Sequence, residues 1–285
     1  MSDWETLGAV DPRELADARL QLHWAAQAAA GVGKLLLPHQ ADYGEQSFQW
    51  LAGPRALAQG VVDGKLRSAV RPHPAALLLL DGDGGTLAEL PLEGRTLDAA
   101  YEWVKAEVER LQGRSLEEPL ERPGDDFPSH PVESGATFST SGPGFAELGR
   151  YYADADRVLR EVAARNPGAS LVRCWPHHFD IATLILFDED EDAEKARSVG
   201  VGLSPGDGGI PEPYFYVLPW PVPATDDLPE LSGGRWQTAG WVGAVLEASD
   251  FAGAGSNGSQ ARRVEAFLES AVSGCRRLLE KGRAE

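Results

Sequence analysis

Cysteine is almost missing from this 285-residue chain: Cys174 and Cys275 are its only two. Two cysteines make no disulfide framework, and Cys275, on the apolar face of the last expected helix, reads as a small core residue. Positive charge is scarce as well, with 26 basic against 44 acidic residues and a formal charge of −18. A grip on nucleic acid needs clustered Lys and Arg, so the balance argues against a nucleic-acid partner, and anionic lipid headgroups repel the same charge. No apolar run approaches the ~20 residues that span a bilayer. The start, MSDWETLGAVDPRE, has no basic stretch leading into an apolar one. The expectation is an acidic, cytoplasmic protein with no membrane partner. Missing too are the Gly-x-Ser-x-Gly elbow, His-Glu-x-x-His and Cys-x-x-Cys, which removes the familiar hydrolase and zinc signatures.

What is present reads as an α+β chain. Asp11 as a cap, Pro12 at the first helical position and Glu14 in the first turn open a helix expected over 12–30, closed by Gly31. Short strands are expected at 34–37, 46–51, 56–62 and 66–70, then a hairpin of 76–80 and 86–90 around DGDGG. DGDGG has no Glu at the last calcium-loop position, so it reads as a turn. Thr96 caps a helix to 112 with Gly113 beyond it. Residues 114–142, rich in Pro, Glu, Asp, Ser and Gly, read as a polar linker crossing the surface. A helix over 144–165, strands at 171–174, 179–187, 198–203, 214–218 and 235–246, and a final helix capped by Ser259 complete the pattern. The acidic string DEDEDAEK, from Asp188, reads as a solvated loop.

Helix, strands, helix thus occurs twice, which predicts two similar halves, 1–113 and 143–285, and raises an internal duplication. Each half carries Pro-His with a nearby Asp: Pro38-His39 with Asp42, and Pro176-His177 with Asp180.

Four stretches together carry a resemblance: LHWAAQAAAGVGKLLLP, ADRVLREV, the Trp-x-x-x-Phe-Asp-Ile-Ala strand, and GLSPGDGGIPEPYFYVLPWPVP. From about Leu20 to Leu279 the chain resembles a bacterial family of uncharacterised proteins, a domain of unknown function. That family has an N-terminal Trp-Thr-Gln-x-x-Gly-Lys segment, a Phe-Trp-Gly-Ser-Phe-Asp-Leu strand and a Pro-Gly…Glu-Pro-x-Phe-Tyr segment. The matching positions are Trp24, Gln27, Gly33, Lys34, Trp175, Phe179, Asp180, Pro205, Gly206, Glu212, Pro213, Phe215 and Tyr216. The resemblance implies shared architecture and supplies no reaction. WPHHFD departs from the family's Trp-Gly-Ser-Phe-Asp string, so the two histidines belong to this chain.

The most pointed chemistry is in WPHHFD, residues 175–180, ahead of an apolar run. If the segment is extended, Cys174, His178 and Asp180 share one face. A metal would need His39 or Asp42 to complete a ligand set, and no metal or cofactor is assigned. Alternatively Asp180, poorly solvated before Ile181, orients His178 or pairs with Lys34 or Arg173, defining an acid/base pair of Asp180 and His178. GVGK, at 31–34, follows a helix and lacks the hydroxyl residue of a phosphate loop, so it reads as a helix cap. Because they recur in the resembled family, Trp24, Gln27 and Lys34 are expected near the pocket, and Glu212, Tyr214 and Tyr216 read as its wall. The resulting expectation is a small-molecule pocket between the halves of an uncharacterised protein, with a homo-oligomer as a further partner expectation. The alternative is a non-catalytic scaffold or interaction subunit in which Asp180 is structural.

Overall fold

A computed structural model describes residues 4–124, 126–188, 196–253 and 255–281. The fold is α+β, with helices and two antiparallel sheets. Among the described residues no helix is long and apolar enough to cross a membrane. Of the acidic string 188–195, residues 189–195 lie outside the described residues, while Asp188 pairs with Arg197.

The chain divides into two compact units. An N-terminal unit comprises Glu14–Gly149 and Arg173–Phe179; a C-terminal unit comprises Met1–Arg13, Arg150–Val172 and Asp180–Glu285. Composition alone places the divisions near 113 and 143, and hydrogen bonding explains the difference. The N-terminal segment joins the C-terminal unit because Gln260, fully buried, accepts from Leu7 N and Trp4 Nε1 and donates to Leu7 O. The stretch read as a surface linker packs into the N-terminal unit instead. Leu116, Leu120, Val132 and Phe138 are buried there, and Ser139 N donates to Gln21 Oε1 at 2.7 Å.

In the N-terminal unit, α1 (Ala16–Leu36) lies on a meander of β1 (Gln49–Leu51), β2 (Ala56–Ala58), β3 (Arg67–Arg71), β4 (Ala76–Leu80) and β5 (Thr86–Pro91), in that spatial order. Two buried polar side chains stitch helix to sheet: Ser68 Oγ donates to Ala29 O at 2.9 Å, and Gln59 Nε2 donates to Ala30 O at 3.0 Å. The opposite face carries Ala56, Ala58, Ala69, Ala76, Leu78 and Leu80. The DGDGG hairpin forms as expected, with Asp81 Oδ1 accepting from the Asp83 and Gly85 amides. Next, α2 (Leu97–Gln112) has the expected ends: Thr96 Oγ1 accepts from Ala99 N, and Gly113 takes φ +69°. The next helix, α3 (Gly144–Arg165), matches its expected span and belongs from Arg150 onward to the C-terminal unit, while β6 (Arg173–Trp175), in the N-terminal unit, bridges Phe48 through Cys174.

The first helix does not stop at Gly31, and the strand expected at 34–37 is its last turn. The glycines serve close packing rather than termination. A Cβ on Gly33 would sit 2.2 Å from Glu45 O and 2.5 Å from Gln59 Nε2, and Gly33 N donates to Gln59 Oε1.

In the C-terminal unit, β7 (Asp180–Leu186), β8 (Ser198–Ser204), β9 (Tyr214–Trp220), β10 (Arg235–Gln237) and β11 (Gly243–Glu247) run in the spatial order β10-β11-β9-β8-β7. The single strand expected at 235–246 is a hairpin, with Gly240 at φ +85° in its turn and Trp236 opposite Ala244. Short α4 (Ala248–Phe251) precedes α5 (Asn257–Lys281), which covers β9 and β8 through its Val264, Phe267, Leu268, Ala271 and Cys275 stripe. The element plan repeats, whereas the first sheet is a plain meander and the second places β11 between β9 and β10; an internal duplication is not established.

Gly33→Ala tests the packing account by the sign of its effect. Helix propensity alone favours Ala over Gly by about 1 kcal/mol, whereas the overpacking predicts destabilisation by about 1–3 kcal/mol, read as a lower urea midpoint.

Candidate functional site

WPHHFD is not extended beyond Trp175. Residues 176–179 form a turn closed by Phe179 N donating to Trp175 O at 2.7 Å, and Phe179 takes φ +59°. A left-handed backbone is costly for an aromatic residue, so surrounding structure must fix it. The fixing element is α1. The Pro176 carbonyl accepts from His23 Nε2 at 2.7 Å and from Gln27 Nε2 at 2.7 Å. Four residues apart, these donors share one helix face. Phe179 then stacks on the His23 ring, centroids 5.1 Å apart and planes within 7°.

His23 is 4% exposed, and burial lowers its pKa to about 3, opposed by its bond to Pro176 and aided by Arg19, His178 and His177. Its ring is therefore neutral, and because a carbonyl only accepts, Nε2 carries the proton. Phe127 packs on the other side of His23, at 4.3 Å, and edge-on against Trp24, at 4.6 Å. Trp24 Nε1 donates to Pro128 O at 2.9 Å, which ties the 127–128 segment to the same helix.

Above this base lies a cleft of about 440 Å³, wholly within the N-terminal unit. Gln27 and Lys34 line it from α1, Gln46 from a short 3-10 turn, Arg122, Asp126 and Phe127 from the segment after α2, and His177 and His178 from the turn. The two imidazole centroids lie 4.3 Å apart. Lys34 pairs with Glu121. Arg122 reaches Asp98 at 2.6 Å, its guanidinium 4.6 Å over the Tyr101 ring. Both ion pairs are largely solvent-exposed, so each contributes only ~0–1 kcal/mol and exchanges readily for another anion.

Of the residues expected at a site, Gln27, Lys34 and His178 meet in this cleft, and Trp24 supports its wall. The other four belong to the C-terminal unit, where each has a recorded partner. Asp180 Oδ2 accepts from Tyr216 Oη. Tyr214 Oη donates to Asp207 Oδ2, and burial followed by that bond pushes its pKa up. Glu212, 3% exposed, accepts from Ser249 N and Ser249 Oγ in the first turn of α4. The pairings proposed for Asp180 also resolve differently: Lys34 bonds Glu121, and Arg173 bonds Asp42 at 2.8 Å.

The ligands suggested for a metal are dispersed. His39 Nδ1 sits 3.1 Å from Glu45, Asp42 pairs with Arg173, and Cys174 is buried in β6. Among the described residues no group of three His, Cys, Asp or Glu side chains is placed to hold a metal ion.

Arg122, Asp126 and Phe127 were not legible as site residues, because their segment has the composition of a linker. Its one signal is Phe127 between Pro123 and Pro128 in otherwise polar sequence. Elsewhere, a smaller depression of about 270 Å³ between α3 and α5 is floored by Val158, Val162, Leu268 and Val272. Two of its rim residues, Arg276 and Asn166, bond each other. Comparisons with family models, curated proteins and solved structures find no match.

The buried neutral His23 predicts an acid-sensitive fold. Its folded pKa of about 3 lies below the unfolded value of ~6.5, so between these the unfolded chain takes up a proton that the folded one refuses. Stability is whole above pH ~6.5 and falls by up to ~1.4 kcal/mol per pH unit towards pH 3. In His23→Leu that part of the slope should vanish, measured as the wild-type minus variant difference in urea midpoint from pH 7 to 4.

Proposed function

We propose that the protein binds a small polar molecule in the N-terminal unit's cleft. The observation that carries the reading is the convergence of Lys34, Arg122, His177, His178 and Gln27, drawn from three separate segments, on one cavity. Its volume of about 440 Å³ lies within the range of small-molecule sites, and its polar groups are few and directional. Gln27 and Lys34 are also two of the positions that carry the family resemblance. In a chain with 44 acidic against 26 Lys and Arg residues, the described lining has two of each, Lys34 and Arg122 with Glu121 and Asp126, and adds two imidazoles.

For the C-terminal unit a structural role is the better reading. Asp180 receives the Tyr216 hydroxyl, and Glu212 caps a helix, so neither is needed to explain a ligand. This agrees with the alternative in which Asp180 is a structural carboxylate.

A library containing carboxylate, phosphate, amide and neutral polyol members, screened by ligand-observed NMR, tests the proposal. Binders should be found that lose at least tenfold in affinity in Gln27→Leu and His178→Ala, while Tyr214→Phe leaves binding intact. Binders indifferent to both cleft substitutions, or no binder at all, would overturn it. Thermal midpoints of the two cleft variants, read alongside, separate lost contacts from lost fold.

A further inference from the structure

We infer that the cleft takes a dianionic oxyanion carried on an organic body, the chemistry of a phosphate monoester; this rests on the cleft being the ligand site. Donor chemistry singles out the anion. Among the described residues the lining brings together the Lys34 ammonium, the Arg122 guanidinium and the imidazoles of His177 and His178, with Glu121 and Asp126 beside them. The two cations only donate, so they call for a ligand with several acceptor oxygens and more than one negative charge. A phosphate monoester, with a charge of about −1.5 to −2 and three strong acceptor oxygens, has that chemistry.

Geometry agrees with the charge. Ring centroids 4.3 Å apart let one tetrahedral group accept hydrogen bonds from both His177 and His178. Lys34 is held only by an exposed pair with Glu121, which a ligand oxygen can replace. Arg122, stacked over Tyr101, presents a planar donor fork suited to phosphate. Beneath the cleft His23 stays neutral, since burial holds its pKa near 3, and keeps its hydrogen bond to the Pro176 carbonyl that positions His177 and His178. The organic body has its own surface: Phe127 is fixed between Trp24 and His23 and faces the cavity beside Pro123 and Pro128.

The test is isothermal titration of the full chain with phenyl phosphate, inorganic phosphate, benzoate and benzyl alcohol. Phenyl phosphate should bind at least tenfold more tightly than benzoate, the monoanion of similar size, and benzyl alcohol weakest of all. It should also bind more tightly than inorganic phosphate, because the ring gains contact with Phe127. The double variant His177→Gln/His178→Gln and Lys34→Gln should each weaken phenyl phosphate at least tenfold while leaving benzyl alcohol unchanged. Benzoate or benzyl alcohol binding as tightly as phenyl phosphate would sink the dianion assignment and leave the cleft a ligand site. Phenyl phosphate failing to bind while the library yields a cleft-dependent ligand has the same meaning. Failure of both experiments would remove the ligand reading itself.

Discussion

One carbonyl oxygen organises the chemistry of the N-terminal unit. Pro176 O accepts two hydrogen bonds of 2.7 Å from α1, one from a neutral imidazole and one from an amide. A carbonyl has two lone pairs, and here both are used. Each such bond is worth only ~0.5–1.5 kcal/mol net, yet together they fix the orientation of a turn whose next two residues are His177 and His178. The arrangement requires that His23 never be charged, and burial enforces it. Protonating that ring would place an unmatched cation among Phe127, Phe179 and Trp24, so the packing that positions the turn also sets the imidazole's state.

Where the sequence was legible, the signals were local. Thr96 and Gly113 mark α2 at both ends, and Asp81 with its glycines marks a hairpin, because each acts on amides within four residues. Where it misled, a residue had a tertiary purpose. Gly31 and Gly33 look like a helix stop, and instead let the helix pack closely, Gly31 against Leu120 and Gly33 against Glu45 and Gln59, where a Cβ would clash. Phe179 looks like a strand residue, and its positive φ becomes tolerable only because His23 and Gln27 grip the turn before it. Alternation arguments assume extended backbone, so the grouping of Cys174, His178 and Asp180 on one face fell with it.

The candidate site divides along the same line. Gln27 and Lys34 were legible through the family resemblance, and His178 through an uncommon His pair ahead of a strand. Arg122 and Phe127 were not, since a Pro- and Asp-rich segment reads as solvent-exposed unless its tertiary partner is known. Asp180 and Glu212 show the opposite case. Each is a carboxylate in a motif that reads as chemistry, and each accepts hydrogen bonds, from Tyr216 and from Ser249. A buried or half-buried carboxylate must find donors, and satisfying it with a tyrosine hydroxyl or a helix-end amide is sufficient reason for its presence. Gly202 fits this account: a Cβ there would lie 2.5 Å from Tyr216 Oη, so the strand leaves room for the hydroxyl that serves Asp180.

The anion proposed for the cleft of a chain of formal charge −18 raises a question of range. Exposed charges act over about 8 Å at physiological ionic strength, so a carboxylate farther than that from the cleft has little influence on a bound ligand. Within that distance the Lys34 ammonium and the Arg122 guanidinium stand ready to donate, each held at present by an exposed carboxylate that a ligand oxygen can replace. Distant negative charge then slows the approach of an anion, more so at low salt, without deciding how tightly it is held once inside. Global composition and local chemistry therefore point in opposite directions without conflict: an overall negative charge disfavours extended polyanions, whereas the donors gathered in the cleft suit the single small anion proposed for it.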